Sequence, residues 1–491
     1  MKKIYIRAGM SPLDNFSPEE VLVNNYIGDN VGNLLYAYSI FRTLMLEDTI
    51  ITPNYYKVNP NEAEKINEEY DCFIIPLADA FRKDFVNEMR NLTALIKRLT
   101  IPCVVVGVGL KAEFGTDLKE SFPFDEDVKN FVKAVLEKSA MIGVRGEITS
   151  AYLTKLGFVE GKDHTVIGCP SMYTYGKNLT VKDTKLTKES MVCVNNNILC
   201  PNNVQHFLEK SMKQLENHYF LPQRIQEFRL TYIGAPYFHN QKRDCYPCDM
   251  NAELYKENKV RFFVNMPAWL DFLRKADFSF GGRLHGNIAG IVAGIPSLLI
   301  PHDARMKELT EYHNLPHIWA KDINEQSDIF ELFAKTDFKQ VLNGHEQRFA
   351  HYIDFLDKNG LDHIYKNGQH PDETPLDRKL KEIDLYPAIE TINGCQKEEV
   401  FDRMKKYYKL EDARKDKLTK EVKKLRKEKR ELNEKCSQKQ KKMEELQKKT
   451  EELQKKTDKL VKENQTLQQH EGISYKIKRK VKQHLSSTKE S

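Results

Sequence analysis

No stretch of the 491-residue sequence reaches the roughly 18 apolar residues that a membrane-spanning helix requires, which excludes a helical span. The opening MKKIYIRAGMSPLDN has the charge of a secretion signal but no apolar core behind it, so a cytoplasmic chain is expected. Cysteine is scarce: nine residues, scattered and odd in number, in a chain long enough to build proper cores. That speaks against a disulfide framework and for reduced thiols. The C-x-x-C pair of CYPC, Cys245 and Cys248, has no second pair to match it. It is weak as a zinc or redox motif and sits in polar loop sequence. Histidines and carboxylates do not cluster at ligand spacing either, so the sequence calls for no metal.

A charge of one sign is also missing from most of the chain. The formal net charge is +6, yet from Glu411 onward there are 26 basic and 15 acidic residues, which leaves the remainder slightly acidic. Basicity is thus a property of the tail, and no nucleic-acid partner is expected.

The chain is too long for one compact core, and strand and helix signals alternate in two runs. The first contains the strands KIYIRA, DCFIIPLA, PCVVVGVGL, MIGVRG and HTVIGCPSM. Between them lie the helices GNLLYAYSIFRTLML, FVNEMRNLTALIKRL, VKNFVKAVLEKSA and EITSAYLTKLGF. Strands that are apolar throughout, separated by amphipathic helices, imply a parallel sheet covered on both faces. A polar stretch near 180–189, TVKDTKLTKE, reads as a linker. The alternation restarts with strand MVCVNNN, helix VQHFLEKSMKQLENHY, strands FRLTYIG and RFFVN, helix AWLDFLRKA, strand FSFGG, helix LHGNIAGIVAG and strand PSLLIP. The expected fold is α/β: two Rossmann-like parallel-sheet domains over 1–182 and 190–345, then closing helices and a linker over 346–394.

A long helical coiled coil is expected over 411–470. Leucines at 418, 425, 432, 446, 453, 460 and 467 keep a seven-residue spacing broken only at Lys439. The companion seam holds Val422, Lys429, Cys436, Met443, Thr450, Thr457 and Asn464, a mixed set that favours a parallel homodimer. In the basic tail, 471–491, apolar residues four apart lie among lysines. Such a segment suits either peripheral contact with an anionic membrane face or a solvated terminus.

The corner FSFGGRLHGNIAGIVAG carries the chemistry. In an open parallel sheet, ligands bind where strand C-termini meet helix N-termini. The glycines let the backbone turn and approach a ligand, and the first helix amides favour an anion. Arg283 adds a planar fork, and His285 a group that can hold or release a proton near neutrality. A structural alternative pairs Arg283 with a core carboxylate and uses His285 as a cap.

GGRLHGNIAGIVAGIPSLLI, together with GVRGEITSAYLTKLGF and VIGCPSMYTYG upstream, resembles the polysaccharide pyruvyl transferase family. The likeness runs from residue 1 to about 345, and the RLH triplet is its most specific element. It implies a GT-B arrangement, two Rossmann-like domains facing a cleft. It also implies transfer of a pyruvyl group from phosphoenolpyruvate, with no other cofactor, to hydroxyls of a cell-surface glycan. On this reading His285 is the acid, and Arg283, Arg145, Gly282 and Leu284 form the donor site. Asp29, Asn30, Ser171, His302, Asp303 and Arg305 are cleft or acceptor candidates, although a helix cap suits Asp29 or Asn30 better. Cys169 is read as buried and not nucleophilic. A GT-B glycosyltransferase with a nucleotide-sugar donor is the alternative enzyme, and a non-catalytic scaffold for glycan assembly is the third reading.

Overall fold

The computed structural model describes residues 1–487 apart from 113, 117, 119 and 237–244. Residues Met1–Leu410 form one compact unit and Glu411–Ser491 another.

The first unit holds two parallel sheets. In the first lobe β1 (Lys2–Ile6), β2 (Thr49–Pro53), β3 (Cys72–Pro76) and β4 (Cys103–Val106) take the order β2-β1-β3-β4. Ile4 stands between Ile51 and Cys72 in the parallel register. A further parallel pair, β5 (Ile142–Val144) and β6 (His164–Val166), continues this sheet through a bridge between Val108 and Val144. In the second lobe β7 (Val192–Asn195) and β8 (His218–Phe220) join β10 (Phe278–Gly281) and β11 (Ser297–Leu299) in the order β11-β10-β7-β8. The short β9 (Arg261–Phe262) pairs antiparallel with β12 (Ile389–Glu390). Strands β3, β4, β5, β7 and β10 are buried along their whole length, as two-sided helix cover requires.

One core cluster spans both lobes. Leu35, Ile40 and Phe41 from the helix Gly32–Leu44 share it with Met172 and Tyr173, and with Ile288 and Ile291 from the helix Leu284–Val292. Apolar packing therefore fixes the place where the two lobes meet.

Three elements differ from the sequence expectation. FRLTYIG was expected as a strand for its aromatic and β-branched content but is the helix Ile225–Ile233. Glu227 starts that helix by accepting the backbone N–H groups of Gln223 and Arg224, at 2.9 Å each, and Gly234 closes it in the left-handed conformation. Phe228 and Tyr232, four apart, then lie buried along one side. The helix expected from VQHFLEK onward stops at Gln214, and β8 begins within the expected helix. TIITP, not read as a strand, forms the edge strand β2.

The second unit is helical throughout its described length, the continuation of a helix that spans Lys397–Ser487. All seven leucines of its heptad series are exposed, from Leu418 at 47% to Leu467 at 65%. No helix among the described residues is long and apolar enough to cross a membrane.

Candidate functional site

The second-lobe turn is built from glycines that nothing else can replace. Gly281 has φ +144°, and a Cβ there would lie 1.7 Å from the Asn195 carbonyl oxygen of the adjacent strand. The backbone N–H of Gly282 donates to that same carbonyl at 3.1 Å. Arg283 follows as the residue that opens the helix, its own N–H donating to Asn195 Oδ1 at 2.8 Å. Asn287 Nδ2 donates back to the carbonyls of Gly281 and Arg283, at 3.0 and 2.9 Å. The corner is thus rigid before any ligand arrives.

Arg283 is buried. Its Nε donates to the Asn196 carbonyl at 2.9 Å, and Nη2 lies 3.8 Å from Glu227 Oε1 without a hydrogen-bond partner among the described residues. The core-carboxylate alternative is therefore met only as a long ion pair.

His285 faces the first lobe. A Cβ on Gly32, at the start of the helix Gly32–Leu44, would fall 2.8 Å from the His285 Cβ, so only glycine admits this approach. His285 Nε2 lies 3.7 Å from Cys169 Sγ, and its ring centroid is 6.4 Å from that of Tyr36. Cys169 is buried as expected, but the imidazole beside it comes from the other lobe, which sequence distance concealed.

Arg145 follows β5. Its Nε donates to the Gly107 carbonyl at 2.9 Å, its guanidinium stacks 4.9 Å from the Tyr36 ring centroid, and its Nη2 has no partner among the described residues. Tyr36 is itself fixed by donating to the carbonyl of Val106, with those of Leu77 and Gly107 at 3.2 and 3.0 Å. Arg305 joins the lobes, with Nη1 on Asp79 Oδ2 and Nη2 on Asp303 Oδ2, each at 3.1 Å. Asp303 also starts its helix by accepting the Met306 N–H at 2.8 Å.

These charges set the protonation states. Burial, then the charges of Arg145 and Arg305, push the His285 imidazole down to about 3, with Asp79 pulling the other way. Burial raises the Asp79 carboxyl, but Arg305, Arg82 and Arg145 outweigh it and hold it below the usual carboxylate range. Glu308, buried in the second lobe, accepts the N–H and hydroxyl of Thr149 from the first. Burial drives its carboxyl up to about 7. Arg7, at the end of β1, stacks on Tyr56 and Phe85 at 5.0 and 5.4 Å, and its Nε has no partner among the described residues.

The other candidates take different places. Leu284 is 6% exposed and belongs to the main core, so its side chain is structural. Asn30 Oδ1 accepts the Gly32 N–H at 2.9 Å and helps start the helix, whereas exposed Asp29 is tied to Asn25. Ser171 is fully buried, with no hydroxyl partner among the described residues. His302 is half-buried beside Cys200, 4.0 Å away, and burial lowers its basicity. Arg7, Asp79, Arg82 and Glu308 escaped the sequence reading. Position at a strand's C-terminal end was the available signal for Arg7 and Asp79, and none existed for Glu308.

Residues after β3, β5, β10 and β11 thus converge from both lobes on one histidine among arginines with spare N–H groups. That defines a two-lobed α/β protein with a cationic centre at the lobe junction. The chain belongs to the polysaccharide pyruvyl transferase family, whose model matches residues 30–304, and with it to the polysaccharide-modifying transferases. No curated protein matches the sequence. Solved structures resemble it only distantly. UDP-GlcNAc 2-epimerase from Neisseria meningitidis is 10% identical, covering 78% of this chain and all of that one, with a TM-score of 0.30. Phage T4 BGT in complex with UDP and Mn2+ is 14% identical over 74% of this chain and all of that one, again with 0.30. MurG from Acinetobacter baumannii is 11% identical over 73% of this chain and all of that one, with 0.28. At such values the likeness adds nothing to what the two sheets display by themselves.

Proposed function

We propose that the protein transfers a pyruvyl group from phosphoenolpyruvate to two hydroxyls of a cell-surface glycan or its precursor, forming a ketal. The observation that carries this reading is His285, held neutral against the first lobe by burial and then by Arg145 and Arg305. A phosphate and a carboxylate bound by those arginines cancel their charges and set negative charge beside the imidazole, which offsets its burial, so the donor itself restores the proton it needs. His285 then protonates C3 of the enol. The first sugar hydroxyl adds to C2 and gives up its proton. Phosphate leaves with the C2–O bond electrons, and the second hydroxyl closes the ketal. Of the two hydroxyl protons, one returns to His285 and the other leaves with phosphate and solvent. Arg145, Arg283 and Arg305 clamp the donor anion, with Gly282 allowing close approach. The cycle needs no metal or organic cofactor.

The test is acceptor-dependent phosphate release from phosphoenolpyruvate over a panel of glycans. His285→Ala is expected to lower it about 10²–10⁴-fold. Nucleotide release from a sugar nucleotide would replace this reading with glycosyl transfer, and silence across the panel with scaffolding.

The exposed leucine series further supports pairing of the tail helix with that of a second copy. Sedimentation of the full chain against one cut at Glu411 is expected to give a dimer and a monomer. Equal monomeric masses would refute the pairing. The basic end, among lysines 476–482, also suits an anionic lipid surface.

A further inference from the structure

Away from the lobe junction, three metal-ligating side chains from two separate segments meet. His206 and Glu209, three apart on the helix Asn202–Gln214, share one face of it. Cys245, from the CYPC motif, places Sγ 3.0 Å from His206 Nδ1, and one ligand atom from each of the three residues lies within 4.8 Å of the others. Around a tetrahedral zinc ion, sulfur, nitrogen and oxygen ligands stand about 3.3–3.6 Å apart, a spacing that small side-chain rotations reach from here.

The neighbourhood decides between a metal and a simple polar cluster. Glu209 and Cys245 also line a cavity of about 430 Å³ whose wall includes Glu253 and Glu257, with Lys213 and Lys259 opposing them. Lys213 holds Glu209 Oε1 at 2.8 Å, but it is exposed at 65% and free to yield to a divalent ion. Thiolate and imidazole select zinc over calcium or magnesium. The next residue along, Tyr246, is buried and donates its hydroxyl to Glu227, the carboxylate facing Arg283. An ion here would fasten the segment carrying that contact to the helix Asn202–Gln214.

We propose that His206, Glu209 and Cys245 form a zinc site with water in the fourth position. Only the weak CYPC signal was legible in the sequence, because the partners of Cys245 lie some 40 residues upstream and Cys248 is not among them. None of its three ligands belongs to the proposed donor site.

The experiment titrates the metal-free full chain, carrying Cys436→Ser to remove the exposed tail thiol, with Co2+ alone. One equivalent is expected to bind with a near-ultraviolet thiolate-to-cobalt charge-transfer band, and stoichiometric Zn2+ to abolish it. Cys245→Ser should eliminate the band, and His206→Ala, at an exposed position, should weaken binding at least about tenfold. Cys248→Ser should leave both unchanged. The absence of a band, its survival in Cys245→Ser, or its loss in Cys248→Ser would each overturn the assignment.

Discussion

Two turns in this protein solve the same local problem with different results. After β5, Arg145 donates Nε to a neighbouring carbonyl at 2.9 Å and leaves Nη2 without a partner among the described residues. After β10, Arg283 does the same at the same distance. Both are buried at the start of a helix. The surroundings differ. Arg145 stacks on Tyr36, and no carboxylate lies within ion-pair distance of it among the described residues, whereas Arg283 has Glu227 at 3.8 Å. The second-lobe turn continues into His285, while the first-lobe turn continues into Gly146, whose Cβ would sit 2.6 Å from the Glu308 Cβ. Each lobe therefore supplies an arginine, but the second-lobe turn carries the half-buried His285, whereas the first-lobe turn faces the buried Glu308. A cation held without a counterion is the stronger anion receptor.

Replacing each arginine with lysine separates the two turns most strongly. Arg145→Lys removes the unpaired fork donor and is expected to lower kcat/KM for phosphoenolpyruvate by up to about a hundredfold, within the range of charge-assisted hydrogen bonds. Arg283→Lys, already partly neutralised by Glu227, should cost less than about tenfold. Steady-state kinetics with varied donor decides, and equal losses would erase the distinction.

A smaller effect separates the turns by pH. The folded pKa of His285, about 3, lies below its ordinary 6.5. The unfolded chain thus takes up the proton first, and stability present above pH 6.5 is lost as pH falls toward 3. Glu308 is the reverse case: raised from 4.5 to about 7, it favours the fold below pH 4.5 and loses that contribution as pH rises through 7. His285→Gln should therefore stabilise the protein at pH 5 by at most about 2 kcal/mol, and Glu308→Gln at pH 8 by at most about 3 kcal/mol. Urea unfolding at both values checks the crossed pattern. A gain from His285→Gln no larger at pH 5 than at pH 8, or from Glu308→Gln no larger at pH 8 than at pH 5, would contradict it.

The repeating β–α order and the GGRLHG corner were legible because each rests on local periodicity or turn chemistry. FRLTYI misled because its aromatic content suits a strand, and that content masked the local helix-start signal of Glu227 three residues after Arg224. TIITP escaped notice because its exposed Ile50 breaks the apolar-in, polar-out pattern of an edge strand. At the site, residue types on the turn itself were readable, but Leu284 went to the core because the helix start must bury something. The Cys169–His285 contact and the Glu308–Thr149 bridge each join residues more than a hundred positions apart, and no spacing rule reaches them.

In the proposed mechanism donor binding gives His285 its proton. Nuclear magnetic resonance of the 15N-labelled imidazoles, assigned through a His285→Gln variant, measures this at pH 7 with and without phosphoenolpyruvate. A neutral His285 is expected in the free protein and an imidazolium once the donor saturates the site. An imidazole that stays neutral under saturating donor would contradict it.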